Sequence, residues 1–269
     1  MNKMPGGWLD RRGIKEAVRE KLSGKLLPCF FACLLPMILP WAMRLIPSGL
    51  GVKYFLLGDL YLVGISVPMT VLSFVAMVFV TDPMQVRLAA FFLKLHTDKE
   101  HLPPPQSVCD CFGAEYWRVV RGMLLRSVYV FCLVLPFAAG LLLPGAVTSE
   151  VMDGISYTRI AIHPAFVLLG LLAWLYGSVS SCMVRYLLAS QEGATAREAL
   201  RRSRRLVHGR FLEMVTLEAS FLPWMFATVL LLLPAIFFWP YYEGTFAAYY
   251  LAMTAQRPAP ARPGDGDAA

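Results

Sequence analysis

Charge is scarce in this chain. Only 16% of its 269 residues are charged, against 57% that are hydrophobic. A soluble domain of this length could bury a core without giving up so much polar surface. Catalytic signatures are missing as well. The sequence has no G-x-S-x-G turn to present a serine, no P-loop to cradle phosphate and no H-E-x-x-H pair to hold zinc. His96 and His101 stand five apart around T-D-K-E, which fits a solvated loop better than a metal centre. His163 precedes Pro164 at the start of an apolar run and reads as an interfacial residue. Gly49 and Gly51 form a lone G-x-G with no strand–helix unit behind it. No C-x-x-C occurs among the six cysteines, which removes the zinc knuckle. The C-D-C of Cys109 to Cys111 leaves open a share in a metal site, in a loop placed where thiols stay reduced. No residues suggest a cofactor. A cleavable leader is not expected either, because Pro28, Pro36 and Pro40 interrupt the first apolar run and no A-x-A site follows.

What the chain does have is apolar runs of membrane length. About 20 such residues cross the hydrocarbon layer as a helix. Five runs qualify, at 26–45, 60–80, 119–143, 165–188 and 214–238. The expected fold is therefore an all-α, polytopic transmembrane helix bundle, one membrane domain over 1–253, with amphipathic interfacial helices. Pro47 to Gly51 reads as a turn, and T-D-P (Thr81 to Pro83) as a stop. Residues 84–116 read as a surface helix, a proline loop at Pro103 to Pro105, and a second short helix around Cys111 to Arg121. Pro144 to His163 reads as a polar loop. The aromatic stretch Tyr241 to Met253 is short for a span and is expected to lie in the interface or re-enter, and a crossing there would make a sixth span. The tail at 254–269 has the Pro-, Ala- and Gly-rich composition of disorder.

Orientation follows from the cations. One set of segments holds Lys3, Arg11, Arg12, Lys15, Arg19, Lys21 and Lys25, then Arg87, Lys94, Lys99, Arg118 and Arg121, then Arg197, Arg201, Arg202, Arg204, Arg205 and Arg210. The opposite loops hold Lys53 and Arg159, with Arg44 at a span end. This asymmetry places the N-terminus in the cytoplasm of a multi-pass protein of the cell membrane.

Two basic helices stand out. Thr195 with Glu198 three residues on is a capping box, and Gly209 is a stop. Between them Ala199, Leu200, Ser203, Leu206 and Val207 share one face. Arg197, Arg201, Arg204, Arg205 and His208 take the other, with Arg202 on the flank. Residues 8–23 repeat the design, with Leu9, Ile14, Val18 and Leu22 opposite Arg11, Arg12, Lys15, Arg19 and Lys21. Such helices beside a span suit anionic headgroups or an unknown membrane-protein partner. The bland reading is that the charge only enforces topology. Nucleic acid is not expected, since exposed aromatics are not interleaved with the arginines.

Ionisable groups inside spans are functional suspects. Glu218 lies a turn inside the last run and is expected to pair with Arg126 or Arg185. Small residues at Gly177 to Ser181 offer close helix packing, and so does Ser203 in its helix. Three functions remain in view. One is a non-enzymatic membrane protein acting through lipid or protein contacts. Another is a small transporter or transporter subunit with a polar pathway between spans 3, 4 and 5. A lipid-processing enzyme is a third.

The runs E-A-L-R-R-S-R-R-L-V-H-G-R-F, L-E-A-S-F-L-P-W and W-P-Y-Y-E-G-T-F-A-A-Y-Y resemble the C-terminal half of a bacterial membrane-protein family, domain of unknown function 975. Ala199, Leu200, Ser203, Arg204 and Gly209 carry the likeness in the basic helix. Ser220, Phe221, Trp224, Pro240, Tyr241, Ala248 and Tyr249 carry it beyond. Arg11 to Gly24 is similar to that family's opening helix, while Pro223 replaces the small residue expected before Trp224. The resemblance implies an architecture and supplies no catalytic residues.

Overall fold

The computed structural model describes residues 10–54, 71–98, 103–113, 115–141, 147–152, 155–160, 164–190, 195–231 and 234–256. Most of the expected span at 60–80, His101, His163 and the tail beyond residue 256 lie outside them.

Helix α1 (Arg11–Leu22) starts where the Asp10 carboxylate accepts the Gly13 N–H, satisfying a donor the helix cannot. It ends at Gly24, whose φ of 80° is left-handed. The chain then bends through 100° into α2 (Leu26–Tyr54). The turn expected at Pro47 to Gly51 is helical instead. In an apolar medium an opened backbone has no water to bond, so the helix persists.

Helix α3 (Val71–Thr97) also overruns an expected stop. Met77–Thr81 widens into a π-turn, and Pro83 falls in the first turn of the α-helical segment that follows, where its missing N–H costs little. The surface helix expected after it is core: Met84, Val86, Leu88, Phe91, Phe92 and Leu95 are buried. Arg87 and Lys94, seven apart, confine the exposed face to a narrow strip. Pro105–Val108 makes a single 3-10 turn. The short helix expected at 111–121 is the opening of α4 (Tyr116–Leu141).

The polar loop expected after α4 contains an antiparallel hairpin, β1 (Val147–Met152) and β2 (Ile155–Ile160), with Val147 opposite Ile160. Its Val, Ile, Thr and Tyr residues favour a pleated conformation. Next come α5 (Pro164–Ser181) and α6 (Val184–Ser190), parted by a turn at Cys182 and Met183. The remaining helices are α7 (Ala196–Val207), α8 (Phe211–Ala219), α9 (Leu222–Leu231) and α10 (Ala235–Ala255).

The run at 214–238 is therefore not one continuous helix. It breaks at Ser220 and Phe221, just before Pro223, and again before α10. A proline ring clashes with the carbonyl four residues back, which makes Pro223 a helix breaker. Tyr241 to Met253, expected to lie in the interface or re-enter, forms most of α10, and Thr245, Phe246, Ala247 and Tyr249 are fully buried there. Helices α1, α2 and α3 all pack on α10, so it is the axis of the core.

Among the described residues, two helices are long and apolar enough to cross a membrane: α3, and α5 with α6 over Ala165–Ser190. The α1–α2 elbow makes a third if it counts as one span. These point to a membrane location, and the apolar exteriors agree. Leu72 and Phe74 on α3, and Leu168, Leu171 and Trp174 on α5, are exposed, as expected where lipid replaces water.

Helices α4 and α5 approach closely through small residues. A Cβ added at Gly170 would lie 2.5 Å from the Phe137 Cβ, and one at Gly177 would lie 2.9 Å from Leu133. Gly170→Ala is therefore expected to destabilise the bundle by about 1–3 kcal/mol, read as a fall in the thermal unfolding midpoint in detergent. An unchanged midpoint would show that α4 and α5 do not pack this tightly.

Candidate functional site

Polar residues from several helices meet inside the bundle. Arg185 on α6 places Nη1 2.9 Å from Glu243 Oε1 on α10, and the two side chains are only 14% and 9% exposed. Tyr186 closes a triangle: its hydroxyl donates to Glu243 Oε2 and accepts from Arg185 Nη2, both at 3.2 Å. Each charge thus has an opposite charge and an added hydrogen bond, which a buried pair needs to offset desolvation.

Arg126 on α4 reaches the Ser181 hydroxyl at 3.4 Å, and Ser181 in turn donates to the Gly177 carbonyl at 2.7 Å. Tyr129 meets Ser180 at 3.3 Å. Glu218 on α8 lies within electrostatic reach of both Arg185 and Arg126, and Asp82 on α3 within reach of Arg126. Three carboxyl groups and two guanidinium groups from five helices therefore face one another. Asp82 Oδ2 and its neighbour Thr81 Oγ1 are buried with no hydrogen-bond partner, at the π-turn of α3. Unpaired buried polar atoms are rare, and π-turns recur at functional positions.

The sequence brought Arg126, Arg185 and Glu218 into consideration but gave Arg185 a different partner. Its ion pair is with Glu243, inside the aromatic stretch expected to lie in the interface or re-enter. The available signal was an acid inside the helix-length apolar stretch W-P-Y-Y-E-G-T-F. Asp82, in the T-D-P expected to stop a span, is instead mid-helix and buried.

The basic helices form a second feature. In α7 both halves of the capping box are present, Thr195 Oγ1 accepting from the Glu198 N–H and Glu198 from the Thr195 N–H. Ala199, Ser203, Leu206 and Val207 are buried, and α7 packs on α4, α5 and α6. Ser203 donates to the Ser180 carbonyl at 2.9 Å, a packing role. Arg197, Arg201, Arg204, Arg205 and His208 are exposed. The apolar stripe of α7 thus docks on protein rather than lying in lipid. Arg204 also stands 5.4 Å from the Tyr129 ring.

On α1, the buried stripe Ile14, Val18 and Leu22 faces α10. Arg12 is exposed and Arg11 half-buried. Lys15 donates to the Ser220 hydroxyl at 2.6 Å and stands 4.4 Å over the Phe221 ring. Its charge therefore straps α1 to the break between α8 and α9. Arg210 donates to Gln256, and Tyr249 lies within reach of Arg11, Asp10, Arg210 and Glu213. The start of α1, the α7–α8 junction and the end of α10 thus share one end of the bundle.

Two cavities are described. One of ≈ 80 Å³ lies beside Arg87, Cys111 and Tyr116. The other, of ≈ 620 Å³, is an open groove between Arg19, Ser23, Trp224, Phe237 and Tyr241. Neither is lined by the buried polar knot. Among the described residues no three His, Cys, Asp or Glu side chains gather as metal ligands. In the C-D-C stretch Cys109 is exposed and Cys111 buried, and burial pushes the Cys111 thiol up, away from the thiolate a metal requires. His96 ends α3 rather than sitting in a loop, with Nε2 donating to the Gly244 carbonyl at 2.9 Å.

The sequence model of a family described as protein of unknown function (DUF975) matches residues 4–257. No curated protein and no solved structure matches the chain.

The Arg185–Glu243 pair can be tested by a double-mutant cycle on thermal stability in detergent. Arg185→Met alone is expected to cost about 3–5 kcal/mol, because it strands a buried carboxylate. Adding Glu243→Leu should recover most of that loss. Additive losses would show that the two side chains do not compensate each other.

Proposed function

The chain belongs to the DUF975 family of proteins of unknown function, and from its own geometry we propose a non-enzymatic integral membrane protein that engages anionic lipid headgroups through its basic helical faces. The observation that carries this reading is the placement of α7. Its apolar residues are spent on the bundle, so Arg197, Arg201, Arg204 and Arg205 are held outward on a helix that cannot roll. Arg12 and Arg11 of α1 stand at the same end of the molecule through the contacts around Tyr249. With the N-terminus inside, that end faces the anionic cytoplasmic leaflet of the cell membrane. Each cation near that surface contributes about 1 kcal/mol. Lys15 stands on the same helix, with its ammonium donating to the Ser220 hydroxyl.

A small transporter is the second reading. It is favoured by the convergence of Asp82, Arg126, Arg185, Glu218 and Glu243 from five helices. The ion pair and hydrogen bonds within that knot favour the contact-making reading instead, since Arg185 and Glu243 satisfy each other.

The test is lipid enrichment. Purified protein is expected to retain phosphatidylglycerol over phosphatidylcholine, measured by mass spectrometry of bound lipid. Replacing Arg197, Arg201, Arg204 and Arg205 by Gln should remove most of that preference, as should high salt. A preference that survives both would sink the proposal. Crosslinking in native membranes that captures one acidic protein through α7, with no lipid preference, would replace lipid by a protein partner.

A further inference from the structure

We infer that the elbow between α1 and α2 is a separate binding site for one anionic phospholipid, with its phosphate at Arg19 and an acyl chain in the groove beneath. The inference rests on the membrane-bound reading above but not on α7.

The groove of ≈ 620 Å³ is within the range of ligand pockets, which run from about 300 to 1,000 Å³ and are mostly apolar with a few placed polar groups. Its walls come from three places. Arg19, Leu22 and Ser23 end α1, Leu26 begins α2, and Trp224, Phe237 and Tyr241 come from α9 and α10. Gly24 makes the bend, in a left-handed conformation with nothing within 4 Å of where a Cβ would stand.

The geometry sorts polar from apolar. With α2 standing in the bilayer, a bend of 100° lays α1 close to the membrane plane, so the elbow sits at headgroup depth. Arg19, Ser23 and Tyr241 are then the wet rim, where a tyrosine hydroxyl and an arginine are at home. The rest of the groove wall is apolar, made by Leu22, Leu26, Trp224, Phe237 and Phe238, and Trp224 and Phe237 are exposed. A water-soluble ligand has no use for that surface, whereas an acyl chain covers it.

Charge selects the headgroup. The Arg19 side chain is exposed and stands within reach of Tyr241. The first turn of α2 carries no acidic residue. Glu16 lies near Tyr241, one turn behind Arg19, and Glu20 follows it on α1. These carboxylates oppose an anion, so the preference rests on the Arg19 guanidinium at the groove itself.

The experiment uses full-length protein in lipid nanodiscs doped with phosphatidylglycerol or phosphatidylcholine bearing a photoreactive acyl chain. Adducts are mapped by peptide mass spectrometry. The phosphatidylglycerol probe is expected to label the peptides holding Leu26, Trp224 and Phe237 about fivefold more than the phosphatidylcholine probe, as one cation contact allows. Arg19→Gln should bring the two probes to parity. Ser23→Trp, which fills the groove mouth, should suppress both. The α7 four-glutamine variant should leave groove labelling intact, so this site and the α7 face fail separately. Equal labelling by both probes in the unaltered protein would overturn the inference. So would labelling unchanged by Ser23→Trp, or adducts spread evenly over all lipid-facing helices.

Discussion

A charge removed from water must find its opposite, and here that requirement ties the bundle to its axis. Arg185 and Glu243 are far apart in sequence and sit on α6 and α10. Neither can be left alone at that depth, because stranding a buried charge costs several kcal/mol. Their meeting fixes the rotation of α10 about its own axis. That rotation puts Gly244 against Val18 of α1 and lets its carbonyl accept from His96 of α3. The packing of α1, α2 and α3 on α10 follows from the same orientation. The apolar stripe of α1 stabilises this arrangement, and Lys15 adds a polar strap on Ser220.

Much of the fold could be read from the residues. The capping box at Thr195 and Glu198, the buried face of α7 and the amphipathic α1 follow from spacing alone. The apolar run at 165–188 stands as a candidate span over Ala165–Ser190. The stops were less legible. T-D-P marks a turn in water, yet α3 runs through it, the π-turn Met77–Thr81 giving way to α-helix at Asp82, and Thr81 and Asp82 are buried. Pro223 acted in the opposite sense and broke a run that hydropathy treats as continuous. Hydropathy sums over a window and does not register a single missing N–H.

Part of the polar knot was legible and part was not, for a related reason. Arg126, Arg185 and Glu218 stand out as charges within apolar runs. Glu243 was hidden by its neighbours. Tyr241, Tyr242, Tyr249 and Tyr250 give α10 the composition of an interfacial belt, and nothing local says that the belt is buried. Only tertiary packing on α10 buries Tyr249 and Tyr250, with Tyr186 of α6 stacked on Tyr250 at 5.7 Å.

The arginines show how position assigns work to one residue type. In α7 they lie opposite a stripe that the bundle consumes, so they are delivered to the surface as a group. In α4 and α6, Arg126 and Arg185 lie on the inward side and meet serine, tyrosine and carboxylate. Arg19 is between these cases, exposed on α1 but at the lip of an apolar groove. An exposed array attracts any anionic surface, weakly per residue and in a salt-dependent way. A buried arginine orients helices and contributes nothing to a partner outside. A single cation over an apolar trough can select one molecule, because the trough limits what else fits. The same guanidinium therefore serves as belt, bolt or selector according to how much of its helix is buried around it.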